Sequence, residues 1–195
     1  MGHDTDHTDV TDGTDGTDGT DGTDVMDVME SVVEDRRFGA VRVRLDTGRG
    51  EVVVEGGAVP RVELRREGPQ DDGHVPVGTR DGDRLALTVD GEEAVVDPSK
   101  GRLTRRSFAV DVRYAGQGWR LVPDSVAGSR LLRGREHVGD FVSQGDGRVL
   151  AEWREGAEPE ALDAALGYAL AAAFGTGAHP MWLLAADAIG DIVPG

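Results

Sequence analysis

The residue types that most often carry out catalysis are scattered along this chain without a recognisable spacing. His74 lies in a polar stretch, His137 in a turn and His179 before a proline, and no HxH or HExxH motif is present. Ser129, in Ala-Gly-Ser, lacks the downstream glycine of a nucleophile elbow. The chain has no cysteine, which excludes thiol chemistry and cysteine-ligated metals. We therefore predict no catalytic residues, no metal site and no cofactor.

Paired carboxylates are frequent, but their positions favour solvation over chemistry. The pairs Asp71-Asp72, Asp81/Asp83 and Glu92-Glu93 all fall in predicted turns or at strand ends. A catalytic carboxylate needs a cleft that perturbs its pKa, and the sequence indicates no such cleft. The sequence thus favours a non-enzymatic protein, with a hydrolase as the third alternative.

Arginines supply the candidate binding site. A basic patch forms if neighbouring hairpins align six of them, and it would bind a small anionic ligand or the chain's own acidic tail by long-range attraction. The alternative is an ordinary solvated face, where exposed charge pairs contribute little. The six residues are Arg102, Arg105, Arg106, Arg130, Arg133 and Arg135.

The negative charge of the chain is concentrated at its N-terminus. The formal net charge is −16, and residues 1–35 contribute −12 of it from ten Asp and two Glu without any Lys or Arg. The remainder holds 25 acidic and 21 basic residues, a net of −4. Nucleic-acid binding requires a basic face, so nucleic acid is excluded as the main partner.

Seven Thr-Asp-X triplets run from Thr5 to Val25. Repeated like charges with almost no apolar side chain cannot build a core, so residues 1–35 are predicted to be a disordered tail. A weak cation-binding or solubility role is possible for it, but the period of three does not match the ligand spacing of an EF-hand. The segment from Asp24 to Asp35 is predicted to be a short helix or an edge segment. Acids stand where a signal peptide would be basic, which favours a cytoplasmic location.

Residues 36–195 form one predicted β-rich domain. Apolar residues alternate with polar ones in runs such as Val41, Val43 and Leu45, which is typical of strands with one buried face. Turn signals such as Asp90-Gly91 separate these runs. Nine or ten strands at this spacing predict an α+β protein that is mainly an antiparallel barrel or sandwich, with Trp119 and Trp153 in its core.

The chain ends in its most apolar segment, Ala164 to Ala186, which has no charged residue. We predict a helix over about 159–175 with Pro159 at its first position, and a second over about 180–192. Gly175-Thr176-Gly177 is interpreted as a helix C-cap and not as a phosphate-binding loop. A helix that is apolar on all sides is buried in protein or in lipid, so the β-sheet should enclose or cover it.

A membrane-associated protein that engages lipid through this segment is the main alternative. Against it, the Gly-Thr-Gly-Ala-His-Pro interruption leaves two pieces too short to cross a bilayer. No Lys or Arg follows Arg154 to anchor the segment.

A β-rich stretch followed by an apolar helix resembles the tubby C-terminal-like barrels, including the LURP-one-related group. The resemblance covers residues 36–195 and rests on the order and character of the elements. It implies strands that close around a central hydrophobic helix. Members of the tubby type bind phosphoinositides through a basic patch. No residues here match that patch, so the resemblance does not imply phosphoinositide binding for this chain.

Together, these patterns predict a soluble, non-enzymatic binding or interaction module. Its expected partner is a protein or a small anionic ligand.

Overall fold

The computed structural model describes residues 1, 28–70, 75–101, 105–125, 128–143 and 146–175. Both the Thr-Asp-X repeat and the predicted second helix lie outside the described residues. The described part contains eleven strands and one α-helix. The strands are β1 (Val28–Asp35), β2 (Gly39–Asp46), β3 (Glu51–Gly56), β4 (Val59–Arg66), β5 (Leu85–Val89), β6 (Glu92–Pro98), β7 (Val110–Tyr114), β8 (Gln117–Pro123), β9 (Gly128–Arg133), β10 (Glu136–Ser143) and β11 (Val149–Trp153), and the helix is α1 (Ala161–Phe174).

Every strand pairs antiparallel with the next one along the chain, in the order β1 to β11. The sheet curls into a nearly closed barrel, which confirms the mainly antiparallel β prediction and selects the barrel over the sandwich. Alternation determines which face lines the interior: Val41, Val43 and Leu45 of β2 are fully buried, whereas the residues between them face outward.

Two of the eleven strands, β1 and β6, were not predicted as strands from the sequence. β1 lies within the segment assigned to the acidic tail, so the sheet begins at Val28 and the predicted start of the body at residue 36 is too late. The segment was predicted to be a short helix or an edge segment; its described residues form an edge strand, so the helix interpretation is wrong. β6 begins with two exposed residues, Glu92 and Glu93. They obscure the alternating pattern of a strand in which Val96 faces inward.

α1 lies inside the barrel. Residues 163–174 are all buried, and the helix contacts β2, β3, β4, β8, β9, β10 and β11. The helix begins at Ala161 and not at Pro159, because Glu160 and Asp163 form a capping box around its first turn. The expectation that the sheet encloses an all-round apolar helix is confirmed.

Close packing between α1 and the wall depends on a glycine. A Cβ at Gly167 would lie only 2.1 Å from the ring of Phe141 on β10. From Phe141, edge-to-face ring contacts lead to Tyr168 on the helix and to Trp153 on β11, each with centroids 5.6 Å apart. The barrel interior is therefore filled by side chains.

The barrel has a seam between β1 and β11. An antiparallel meander with an odd number of strands leaves its first and last strands parallel, and these two strands share no backbone ladder. Side chains bridge them instead. Ser31 donates a hydrogen bond to the carbonyl of Gly147 (2.8 Å), and Trp153 donates through Nε1 to Asp35 (3.0 Å).

The two ends of the barrel differ in their connections. At the hairpin end, residues 36–38, 57–58, 90–91, 115–116 and 134–135 make short turns. At the loop end lie the connections from β2 to β3, β4 to β5, β6 to β7, β8 to β9 and β10 to β11, and those after β4 and β6 are long. α1 enters at the hairpin end and finishes at the loop end. Long loops on a rigid scaffold are where binding residues are usually found.

Candidate anion-binding cleft at the loop end

A buried carboxylate anchors the start of α1 at the hairpin end. Asp163 is fully buried and accepts hydrogen bonds from Trp119 Nε1 (2.7 Å), Arg133 Nη1 (2.9 Å) and the backbone N–H of Glu160 (2.7 Å). The positive end of the helix dipole and the Arg133 guanidinium both stabilise its negative charge. Since both carboxylate oxygens of Asp163 accept hydrogen bonds, we assign this group a structural role.

A second buried carboxylate joins the seam to the middle of α1. Asp35 accepts hydrogen bonds from Trp153 Nε1 and from the Tyr168 hydroxyl (2.9 Å), as well as from two backbone N–H groups of the β1–β2 turn. Burial, together with the negative charge of Asp35 and the hydrogen bond to it, raises the pKa of Tyr168. This cluster also holds the fold together.

The loop after β4 covers the end of α1. The carbonyl of Ala173 accepts hydrogen bonds from the backbone N–H groups of Val77 (3.0 Å) and Gly78 (2.8 Å). A Cβ at Gly78 would clash with the ring of Phe174, which explains the glycine at this position. Arg66, also buried, donates a hydrogen bond to the carbonyl of Val77 (3.0 Å) and so holds the loop against β4.

Arg80 follows directly in this loop, and its charge has no carboxylate partner among the described residues. Its guanidinium lies 5.0 Å from the ring centroid of Phe108 and 5.7 Å from that of Phe174. Nη1 donates to the carbonyl of Phe108 (3.0 Å), with that of Ser99 at 3.5 Å. Burial lowers the pKa of Arg80 to about 10, so the side chain remains a cation at neutral pH. A half-buried cation without a counter-charge attracts anions.

The cleft beside Arg80 has a volume of about 650 Å³. We call it the Arg80 cleft. Its basic lining residues are Arg80, Lys100 and Arg113; its acidic ones are Asp81, Asp83 and Asp97; and apolar side chains such as Val95 form part of its wall. Lys100 and Arg113 are exposed and, among the described residues, have no ion pair. The cleft therefore presents three cations, none of which is neutralised by a direct contact with a described carboxylate.

The six arginines proposed from the sequence do not all meet in one patch. Arg102 lies outside the described residues. The backbone of Arg105 and the exposed Arg106 belong to a short 3-10 helix, Arg105–Phe108, at the loop end. The same helix carries Phe108, so these two residues lie in the segment that contacts Arg80.

The other three arginines are engaged elsewhere or lie at the far end. Arg130 forms an ion pair with Asp124. Arg133 forms ion pairs with Asp163 and with two glutamates at the hairpin end. Arg135 is exposed in the β9–β10 turn, also at the hairpin end.

The histidines and paired acids give no catalytic arrangement in the described part of the chain. His137 contacts only Asp140 (3.1 Å) and, at 3.5 Å, Arg154. Asp81 accepts a hydrogen bond from the backbone of Asp83, which is a turn-capping role. His74, His179 and Asp71-Asp72 lie outside the described residues. Within the described ranges, no cluster of three or more such ligands occurs.

The sequence reasoning missed Arg80, Asp35 and Asp163. A signal was available for Asp163, because an acid three residues after Glu160 at a helix start fits a capping box. Arg80 gives no such signal, since it is one of two arginines in a loop rich in Gly and Asp.

Comparison with known proteins returns no relative: no protein-family model, no curated protein and no solved structure matches the chain. The resemblance to tubby C-terminal-like barrels therefore stays a prediction. In the described part of the chain, no helix is long and apolar enough to span a membrane.

Proposed function

We propose that this chain is a non-enzymatic binding module that recognises an anionic group at the Arg80 cleft. The supporting observation is the half-buried guanidinium of Arg80, which stacks on two rings and has no described carboxylate to neutralise it. An incoming anion would compensate a charge that burial has made costly.

The filled barrel favours recognition at the outer surface. Because α1 occupies the interior, a ligand has to bind at a barrel end or on the outer wall. The loop end carries the long connections and the half-buried Arg80, whereas the half-buried Arg133 of the hairpin end is already paired with Asp163. A small anion, or an acidic side chain of a protein partner, fits this end by charge.

The membrane-associated alternative has weaker support. The first part of the apolar segment, residues 164–174, packs inside the barrel, which leaves those residues no surface to offer to lipid. A hydrolase would need convergent ionisable groups in a cleft, and Asp81 in the Arg80 cleft is used to cap a turn.

Anion-dependent thermal stabilisation tests the proposal. We expect acetate to raise the melting temperature more than chloride does at equal ionic strength, because binding to the native state stabilises it. The double variant Lys100→Gln/Arg113→Gln should lose this effect. The matched control Arg135→Gln, an exposed arginine at the opposite end, should keep it. Equal stabilisation in both variants would refute the Arg80 cleft as the site.

A further inference from the structure

The hydrogen-bonding pattern of Arg80 leaves one edge of its guanidinium open. Nη1 is used by the carbonyls of Phe108 and Ser99, while Nε and Nη2 donate to no described residue. The Nε–Nη2 edge is the one that binds two oxygens side by side, as a carboxylate offers them.

The charges around the cleft limit how negative the ligand can be. Three basic side chains face the cleft, but Asp81, Asp83 and Asp97 line it as well. The formal charges of these six side chains sum to zero, so each further negative charge on a ligand adds repulsion from the three carboxylates. The lining thus favours a monoanion.

Part of the mostly polar cleft wall is apolar and can contact the hydrocarbon body of a ligand. Val95 points outward from β6 and is 52% exposed, which is unusual for a large apolar side chain in this molecule. Leu85, Ala94 and Pro98 line the same cleft. Covering such a wall with an apolar group stabilises a complex by removing that surface from water.

We propose that the ligand of the Arg80 cleft is a small monocarboxylate with an apolar body, an inference that rests on the proposed anion-binding function. The two carboxylate oxygens accept hydrogen bonds from Nε and Nη2 of Arg80. The body of the ligand lies against Val95, and Lys100 at the rim adds attraction for the negative charge.

A pair of matched probes tests this assignment on the full chain. N-acetylleucine carries one carboxylate and an apolar body, and N-acetylleucinamide differs from it only by lacking the negative charge. Isothermal titration measures affinity, and amide chemical shifts locate the site. We expect N-acetylleucine to perturb residues of the Arg80 cleft and to bind about tenfold or more tighter than the amide, because charge-assisted hydrogen bonds are lost in the amide.

Two variants separate the carboxylate contact from the apolar one. Arg80→Lys keeps the charge but loses the side-by-side donors, and it should weaken N-acetylleucine binding about tenfold. Since Arg80 also holds loop carbonyls, Val95→Asn provides a second variant at an exposed position. It should weaken binding about three- to tenfold through the lost apolar contact, without lowering the melting temperature. Arg135→Gln should bind like the wild type.

Inorganic phosphate distinguishes failure of this inference from failure of the proposed function. Phosphate binding at the cleft without N-acetylleucine binding would overturn the monocarboxylate assignment and leave the anion site standing. Equal binding of the acid and the amide would also overturn the assignment. If none of the three probes shifts residues of the cleft, both the assignment and the proposed function are refuted.

Discussion

At the scale of single residues, side chains of opposite charge stabilise the two ends of α1, whose own side chains are almost all apolar. Asp163 lies in the first turn, where the helix dipole is positive, and Arg80 stacks on Phe174 at the end, where it is negative. Because α1 has no basic residue in its last turn, the loop supplies the cation. Arg80 therefore combines a role in the fold with its proposed role in binding.

Asp163 gives the first prediction. The variant Asp163→Asn keeps the shape of the side chain but removes the charge that pairs with Arg133, and we expect it to lower the free energy of unfolding by about 2–3 kcal/mol. Denaturant unfolding measures this value. Glu55→Gln is the matched control, since it breaks an exposed ion pair with Arg61 and should cost less than about 1 kcal/mol. Equal losses would contradict the anchoring role of Asp163.

Tyr168 gives a prediction about alkaline pH. Its pKa is raised in the folded state, so the folded protein holds the phenolic proton more tightly than the unfolded chain does. The stability from this group is complete below pH about 10, the ordinary tyrosine pKa, and declines as the pH rises above it.

Tyr168→Phe should therefore be less stable than the wild type at pH 7, because it lacks the hydrogen bond to Asp35. Above pH about 10, the difference between the two proteins should shrink. Urea unfolding from pH 7 to pH 11 measures both effects. A difference that stays constant or widens with pH would show that Tyr168 does not keep its proton in the folded state.

At the scale of elements, the seam is the place where the barrel is held least by its backbone. β1 and β11 each pair on one side only, and side-chain hydrogen bonds such as that of Ser31 close the gap. We expect the backbone amides of β1 and β11 to exchange with deuterium faster than those of β3 and β8, which pair on both sides. Equal protection in all four strands would mean that the seam is as firmly closed as the rest of the barrel.

The contact between α1 and the wall gives a packing prediction. Gly167→Ala places a methyl group against the ring of Phe141, and we expect a loss of about 1–3 kcal/mol from overpacking. Gly57→Ala is the control, because its Cβ would meet no atom within 4 Å and it should change stability little. Thermal or denaturant unfolding compares the two. A harmless Gly167→Ala would show that α1 does not pack this closely against β10.

The same elements show what sequence reasoning can recover. Strict alternation identified β2, β4, β5 and β7, since a strand with one buried face leaves that pattern. β1 escaped because Glu30 and Glu34 interrupt its apolar residues and the acidic repeat precedes it. The enclosed helix was recoverable because α1 has no polar face, and only lipid or a surrounding protein wall accommodates such a helix.

The candidate site was less recoverable. The sequence predicts a site made of six clustered arginines, but the half-buried cation is Arg80, which is not one of them. Its burial arises only when its loop packs under Phe174 and beside Phe108, contacts that join positions 28 and 94 residues apart. Arg130 and Arg133, which looked available in the sequence, find their partners only when the strands are paired and α1 is in place.

At the scale of the whole molecule, an internal helix replaces the cavity that a barrel of this size would otherwise enclose. Large side chains of α1, among them Leu166, Tyr168 and Leu170, are fully buried against seven strands. Truncating one such leucine to alanine typically costs about 2–5 kcal/mol, which is comparable to much of the stability of a domain. The strands without the helix would enclose an empty, apolar interior.

The most direct test of this arrangement is thermal unfolding of a chain that ends at Arg154 and lacks α1, compared with the full chain and with a chain that ends at Gly175. We expect the chain ending at Arg154 to show no cooperative transition by circular dichroism, while the chain ending at Gly175 unfolds cooperatively. A cooperative transition for the chain ending at Arg154 would contradict the account, because it would show that the barrel folds without its helix and that α1 is free to act elsewhere.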